Sequence, residues 1–181
     1  MIVKNMASLI VVTFVLSSSC LPQLKNTTHE EQVFRAPFTL KLHVDNGHYY
    51  EETFDKVPHV AENSVYLFVG ESFGVNVTVT ENHISRITYQ RDPSKADVDF
   101  AFTQENSQNG WMMQLAIRNR LKRRLSFDAL MTIPEKKGLY ETSVLPVEPN
   151  LSSFESWPHP IVQLALRNFR FSEDEAKRGE R

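Results

Sequence analysis

The side chains that could carry out catalytic chemistry are few and scattered along this sequence. The chain has one cysteine and six histidines, and the histidines form neither an H-E-x-x-H motif nor an i, i+4 pair. The sequence also lacks a G-x-S-x-G nucleophile elbow, a phosphate-binding loop and a dinucleotide fingerprint. His43, His48 and His59 share one region and could converge, but no metal-ligand spacing accompanies them. We therefore predict no catalytic site, no metal site and no cofactor.

The single cysteine, Cys20, follows a segment with the composition of an export signal. Lys4 precedes an apolar run at residues 6–16, and three serines separate this run from Cys20. A basic start, a short apolar stretch and small residues after it are typical of a secretory signal peptide. A membrane-spanning helix would need about 20 apolar residues, so this run is too short to be one. We predict that residues 1–19 are a signal peptide.

The five residues that end at Cys20 (LSSSC) resemble the lipobox of bacterial lipoproteins, with Ser17 where an aliphatic residue is usual. The resemblance implies that Cys20 becomes the lipidated N-terminus, and the alternative is ordinary cleavage near an unmodified cysteine. Because Leu21 rather than an aspartate follows Cys20, it also implies the periplasmic face of the outer membrane, with secretion as the alternative. Residues 20–35 are mostly polar, and we predict a lipidated N-terminus and a flexible tether there.

Five basic residues in seven positions form the densest charge of the chain. Such a basic cluster could bind the phosphates of a lipid or an acidic protein surface. The alternative is a solvated turn whose charges discourage edge-to-edge aggregation. The whole chain has a formal net charge of −2, which does not favour nucleic acid as a partner. The candidate anion-binding residues are Arg118, Arg120, Lys122, Arg123 and Arg124.

Aromatic side chains mark two candidate partner-binding segments. The first, at residues 146–160, contains four prolines together with Phe154, Trp157 and His159. Prolines restrict the backbone and remove ladder hydrogen bonds, so we expect an irregular, rigid loop that presents aromatic anchors. The alternative is that the aromatic residues close one end of the hydrophobic core. The second segment, at residues 45–62, carries Tyr49 and Tyr50.

The elements that must position these residues have a period of two. Apolar and polar residues alternate in several runs, a pattern typical of antiparallel strands with one face in a core. Turn-forming residues separate the runs, as at Asp92-Pro93 and at Asn109-Gly110. We predict eight or nine short strands in an all-β, antiparallel β-sandwich of immunoglobulin-like or related topology, with a small β-barrel as the alternative. The alternating runs are 38–44, 73–79, 98–102, 111–117 and 125–131.

The sandwich is predicted to span residues 36–171. Within it the segment QLAIRN at 114–119 recurs as QLALRN at 163–168, which indicates two strands in similar half-buried environments. Residues 172–181 contain seven charges in ten positions, and we predict a flexible tail there.

The composition sets the class of function that we expect. A hydrophobic content of 41% excludes a mainly disordered chain. We predict a membrane-anchored periplasmic lipoprotein that acts as a non-catalytic binding, scaffold or assembly-accessory module, with another envelope protein as its partner. The alternative is a secreted hydrolase or carbohydrate-active β-sandwich domain. A third possibility, a secreted glycoprotein, rests on the sequons at Asn26, Asn76 and Asn150. The oligomeric state is left open.

Overall fold

The computed structural model describes residues 32–45, 47–108 and 110–172. The predicted signal peptide, Cys20, most of the predicted tether and all but the first residue of the predicted tail lie outside this part of the chain. The described residues form twelve strands and one short 3-10 helix, Pro93–Lys95. The strands are β1 (Phe38–Asp45), β2 (His48–Phe54), β3 (Val60–Ala61), β4 (Ser64–Leu67), β5 (Glu71–Thr80), β6 (His83–Gln90), β7 (Val98–Ser107), β8 (Gly110–Asn119), β9 (Leu125–Thr132), β10 (Tyr140–Thr142), β11 (Ser152–Trp157) and β12 (Gln163–Phe171).

Ten of these strands form two five-stranded antiparallel sheets. One sheet has the order β10-β9-β12-β4-β3, and the other has the order β11-β8-β7-β5-β6. Strands β1 and β2 form a separate hairpin. The two sheets pack on a shared hydrophobic core, so the prediction of an all-β antiparallel sandwich is confirmed. Each sheet has two edge strands, and the strands do not close into the small barrel that was the alternative.

The core consists of the alternate residues that the sequence pattern indicated. Side chains at alternate positions in parts of β7, β8 and β12 are almost completely buried between the sheets. The intervening positions of β8, such as Gln114 and Arg118, lie on the outer face. Because successive side chains of a strand point to opposite faces, this alternation fixes which face of each sheet meets the other. The buried residues of these three strands include Val98, Phe100, Phe102, Met113, Leu115, Ile117, Leu164 and Leu166.

Three strands lie in segments that the sequence pattern did not mark as strands. Strands β2 and β3 fall within residues 45–62, and β11 falls within the proline-containing stretch 146–160. The expectation that residues 146–160 are irregular throughout is therefore wrong for Ser152–Trp157. The physical reason is that proline prevents pairing at its own position, and the four prolines flank β11 rather than interrupt it.

Two tight hairpins use a turn that the sequence did not signal. The β3–β4 and β5–β6 hairpins each turn through a Glu-Asn pair, and all four turn residues have positive φ angles of 49° to 71°. Positive φ at both central residues is the geometry of a type I′ turn, which matches the twist of the strands. Asparagine adopts this conformation readily, but glutamate does not. The turn residues are Glu62, Asn63, Glu81 and Asn82.

Residues just before the predicted boundary at residue 36 contact the sandwich. Phe34 forms an isolated bridge with Pro58, and the backbone N–H of Arg35 donates to the carbonyl of Val57 over 2.9 Å. The Arg35 side chain is buried, and it forms an ion pair with Glu71 at the start of β5. The last residues of the predicted tether are therefore in contact with the sandwich.

The internal similarity places its two copies in different sheets. QLAIRN is the second half of β8, and QLALRN is the first half of β12. The copies end differently, because Asn119 is completely buried whereas Asn168 is exposed with a φ of 55° at a bulge against β9. The two copies therefore occupy similar strand environments from the glutamine to the arginine and differ at the final asparagine.

Candidate functional site

The most exposed large apolar side chains of the described region include three that lie on or next to the edge strand β11. Phe154, in the middle of β11, is 77% exposed. Leu151, just before the strand, is 57% exposed, and Leu145, on the preceding segment, is 69% exposed. The Leu145 backbone N–H donates to the carboxylate of Glu155 over 2.8 Å, which holds this segment beside β11.

The outer edge of β11 has free backbone groups. Among the described strands, β11 pairs only with β8, in the register that places Phe154 opposite Ala116. The Asn119 N–H donates to the Leu151 carbonyl over 2.9 Å, so the hydrogen-bonded pairs of this ladder fall at every second residue from Leu151. The N–H and C=O groups of Ser152, Phe154 and Ser156 therefore point away from β8, toward the open edge.

The other candidates in the stretch 146–160 lie apart from this surface. Trp157 is only 7% exposed, and its Nε1–H donates to the Thr142 hydroxyl over 2.8 Å. Its ring meets Phe102 edge to face, with centroids 6.5 Å apart. Trp157 is thus a core residue, which is the alternative that the sequence left open, and not an exposed anchor. His159 is half-buried beyond the end of the strand.

Tyr49 and Tyr50 lie on opposite faces of the β1–β2 hairpin. Tyr49 is 50% exposed, and its ring contacts His43, which stacks on Trp111 with centroids 3.6 Å apart. Lys41 places its ammonium 4.5 Å from the centre of the Tyr49 ring. Tyr50 packs against the core, and burial together with the neighbouring Glu52 carboxylate raises the pKa of Tyr50 to about 12. Tyr49 is therefore the more exposed of the two aromatic side chains, and Tyr50 is partly buried.

The basic cluster at residues 118–124 is largely paired within the protein. Arg120 forms an ion pair with Asp99, and the Arg124 guanidinium lies 2.9 Å from the Glu148 carboxylate. Arg123 covers the ring of Phe171 at 3.8 Å and donates to the Asn82 carbonyl. Arg118 and Lys122 are the two members that are exposed. Because three of the five side chains have internal partners, the cluster has less capacity to bind an external anion than its sequence suggested.

The three histidines that share one region of the sequence, His43, His48 and His59, do not come together. His43 stacks on Trp111, His48 contacts the carboxylate of Asp45, and His59 packs against Phe73 and Tyr89. Burial, followed by the positive charge of Arg35, lowers the pKa of His59. Within residues 32–45, 47–108 and 110–172, no group of three or more histidine, cysteine, aspartate or glutamate side chains could hold a metal ion.

Comparison with known proteins adds no assignment. The chain matches no family model, no curated protein and no solved structure. In the part of the chain that the structure describes, we find no helix with the length and apolar character required to span a membrane. The candidate site is therefore defined by the exposure, strand pairing and hydrogen bonds of its own residues.

The free edge of β11 is the feature that the sequence did not reveal. Phe154 was a candidate because of its residue type, but whether its strand lies at an edge depends on the order of strands in the sheet. The only signal in the sequence is the placement of prolines, because Pro149 and Pro158 bracket eight residues free of proline.

Proposed function

We propose that this chain is a non-catalytic binding module, anchored to the outer membrane through Cys20, that binds an extended segment of another envelope protein along the free edge of β11. The single observation that carries the proposal is the edge strand itself. It has six residues, an unpaired row of backbone donors and acceptors, and Phe154 projecting into solvent. Strand addition uses such an edge for affinity and a neighbouring apolar side chain for specificity.

The other sheet edges are less suited to this role. Strands β10 and β3, the edges of the first sheet, have three and two residues. Strand β6, at the opposite edge of the second sheet, is longer but carries Arg86 near its centre. Short edge strands and charged side chains are the means by which proteins prevent unwanted pairing. Strand β11 has six residues, and its one charged side chain, Glu155, accepts a hydrogen bond from the Leu145 N–H. Leu145, Leu151 and Phe154 add exposed apolar side chains on or next to this strand.

The anchor rests on the sequence of the N-terminal segment. An apolar run that ends in LSSSC, a cysteine with no other cysteine to pair with, and a polar stretch before the domain support export and lipidation. Acyl chains on Cys20 would hold the sandwich at the membrane surface and would limit its search for a partner to the envelope. A module held in this way needs only moderate affinity, since anchoring raises the effective concentration of partners in the same membrane.

A crosslinking experiment in the native cell tests the partner. A photoreactive amino acid replaces Phe154 in the full chain, and the control replaces Val79, an exposed apolar residue outside β11 that is 46% exposed. We expect a discrete adduct with an envelope protein at position 154 and none at position 79. Equal labelling at both positions, or no adduct at position 154, would contradict the proposal.

A pair of proline variants tests whether the edge is used as a strand. Ser156→Pro removes an N–H that points to the open edge, whereas Glu155→Pro removes one that pairs with β8. We expect Ser156→Pro to fold and to lose the partner, because proline is tolerated where the N–H faces outward. Glu155→Pro should instead lower the stability by about 3 kcal/mol. Normal partner capture by a folded Ser156→Pro protein would exclude strand addition at this edge.

A further inference from the structure

A second candidate site lies in the other sheet, where β10 separates from β9. Strand β10 pairs with β9 from Tyr140 to Thr142, and the next contact between these two segments is the bridge from Val147 to Leu125. The chain leaves β9 between these points and encloses an open groove of about 390 Å³. The groove is lined by residues of β9, by the end of β10 and the segment after it, and by Arg167 of β12.

The main chain of β9 faces this groove without a strand partner. Leu125 exchanges both of its backbone hydrogen bonds with Val147, at 2.9 and 2.8 Å, so its polar groups point toward the β10 side. Phe127, two residues further along the strand, points its N–H and C=O in the same direction. Within the described residues, no ladder partner lies opposite Phe127 on that side.

The groove contains two side chains of opposite charge, Arg167 and Glu141, that could bind a ligand. The Asp128 carboxylate already has partners within the protein, because its two oxygens accept hydrogen bonds from Asn168 over 2.7 Å and from Arg170 over 2.9 Å. Arg167 keeps a buried Nε–H that donates no hydrogen bond in the described structure. Glu141 is exposed and forms no ion pair with any described residue. The guanidinium and the Glu141 carboxylate therefore remain available for an external molecule.

The strand register places these two charges at opposite sides of the groove. Arg167 lies opposite Asp128, and Glu141 lies opposite Leu130, two residues further along β9. With strands about 4.8 Å apart and a rise of about 3.3 Å per residue, the two Cα atoms are about 12 Å apart. Side chains that extend over the strand from each side leave room between them for a small molecule. Leu130 and Val144 add apolar walls.

We propose that this groove binds a zwitterionic α-amino acid or dipeptide with an apolar side chain. The ligand carboxylate would pair with Arg167, whose planar guanidinium suits a carboxylate. Its ammonium group would pair with Glu141, and its side chain would contact Leu130 and Val144. A dianion such as phosphate is a poorer match, because Asp128 and Glu141 both lie at the groove.

Ligand-observed NMR titration of the full chain in detergent tests this proposal. The probes are leucine, alanyl-leucine, N-acetyl-leucine, which lacks the ammonium charge, and leucine amide, which lacks the carboxylate. We expect leucine or alanyl-leucine to bind, and each blocked compound to bind about tenfold or more weakly. A free amino acid as the natural ligand predicts that leucine binds best, and a peptide predicts that alanyl-leucine binds best.

Variants of the protein provide the matched controls. Arg167→Gln and Glu141→Gln should each weaken binding about tenfold or more, whereas Arg118→Gln, which removes an exposed arginine on the other sheet, should leave it unchanged. Circular dichroism shows whether each variant is folded. Absence of binding by both leucine and alanyl-leucine, equal binding of the blocked compounds, or an equal effect of Arg118→Gln would overturn the proposal. None of these outcomes depends on β11. The test of ligand binding in the groove is therefore independent of the test of partner binding at the β11 edge.

Discussion

Removing the Arg35 guanidinium should show how one end of the sandwich is held together. The side chain is 5% exposed, and its Nε and Nη2 groups donate to the two oxygens of Glu71. It also donates to the carbonyls of Pro58 and Tyr66, each over 2.6 Å. Its charge lies 5.0 Å from the centre of the Phe68 ring. Every donor direction of the guanidinium is therefore used inside the protein.

The expected cost of Arg35→Ala follows from what the change leaves behind. Glu71 would keep the hydrogen bond from the Phe68 N–H, at 2.8 Å, but would lose its cation, and two partly buried carbonyls would lose the donors of Arg35. Breaking one partner of a buried ion pair costs about 3–5 kcal/mol. At about 2–4 °C per kcal/mol for a chain of this size, Tm should fall by about 6–20 °C.

Urea unfolding of the full chain, followed by tryptophan fluorescence, measures this cost. Arg170→Ala is the matched control, because the pair of Arg170 with Asp128 is about half exposed and should contribute less than about 1 kcal/mol. Replacing both members of the buried pair, as in Arg35→Met with Glu71→Leu, should cost less than the sum of the single changes. A loss below about 1 kcal/mol for Arg35→Ala would refute this account of the buried pair.

Three further predictions concern stability. Asn119→Ala removes the donors to three carbonyls and should lower the free energy of unfolding by about 2–3 kcal/mol in denaturant titration. The control is Asn168→Gly, at a positive φ, which should change the free energy of unfolding by less than about 0.5 kcal/mol. Gly74→Ala would place a Cβ 2.1 Å from that of Ala96 and should lower the free energy of unfolding by about 1–3 kcal/mol. Adding Ala96→Gly should restore most of this loss, and failure of this rescue would show that the contact is not the cause. The pKa of His59 is lowered in the folded state. The stabilisation from the neutral form of His59 is therefore complete above the ordinary pKa of about 6.5 and is lost as pH falls toward the folded value. His59→Gln should flatten the pH dependence of stability in that range.

The strands that the sequence predicted are those whose apolar residues alternate without interruption. In β7 and β8 every second residue is apolar over at least five positions, and these positions are the buried ones. Strand β2, in contrast, buries only part of one face, because the hairpin lies outside the two sheets. Strand β11 has a weak alternation and flanking prolines, so its sequence resembles a loop. The local pattern of apolar and polar residues indicates which side chains are buried, whereas β2 and β11 are stabilised mainly by pairing with a neighbouring strand.

The candidate residues were predictable by type but not by environment. Phe154 and Trp157 are both aromatic and three residues apart, yet one is exposed and the other is in the core. Their positions in an alternating strand decide this difference, since residues three apart lie on opposite faces. Arg35 is a stronger example, because a charged residue in a polar segment indicates solvent exposure. Its partner Glu71 is 36 residues away, and only the folded chain brings the two together.

The same arginine determines how the domain responds to mechanical load. If the N-terminal segment is a membrane tether, any pull on it reaches the sandwich first at residues 32–35 and their contacts with residues 57–60. The ion pair to Glu71 then passes the force directly into β5, a central strand of the second sheet. The load would therefore be resisted by a strand paired on both sides rather than by the isolated β1–β2 hairpin. A partner bound at β11, at the edge of the same sheet, would be mechanically coupled to the membrane through the ladders of β8 and β7.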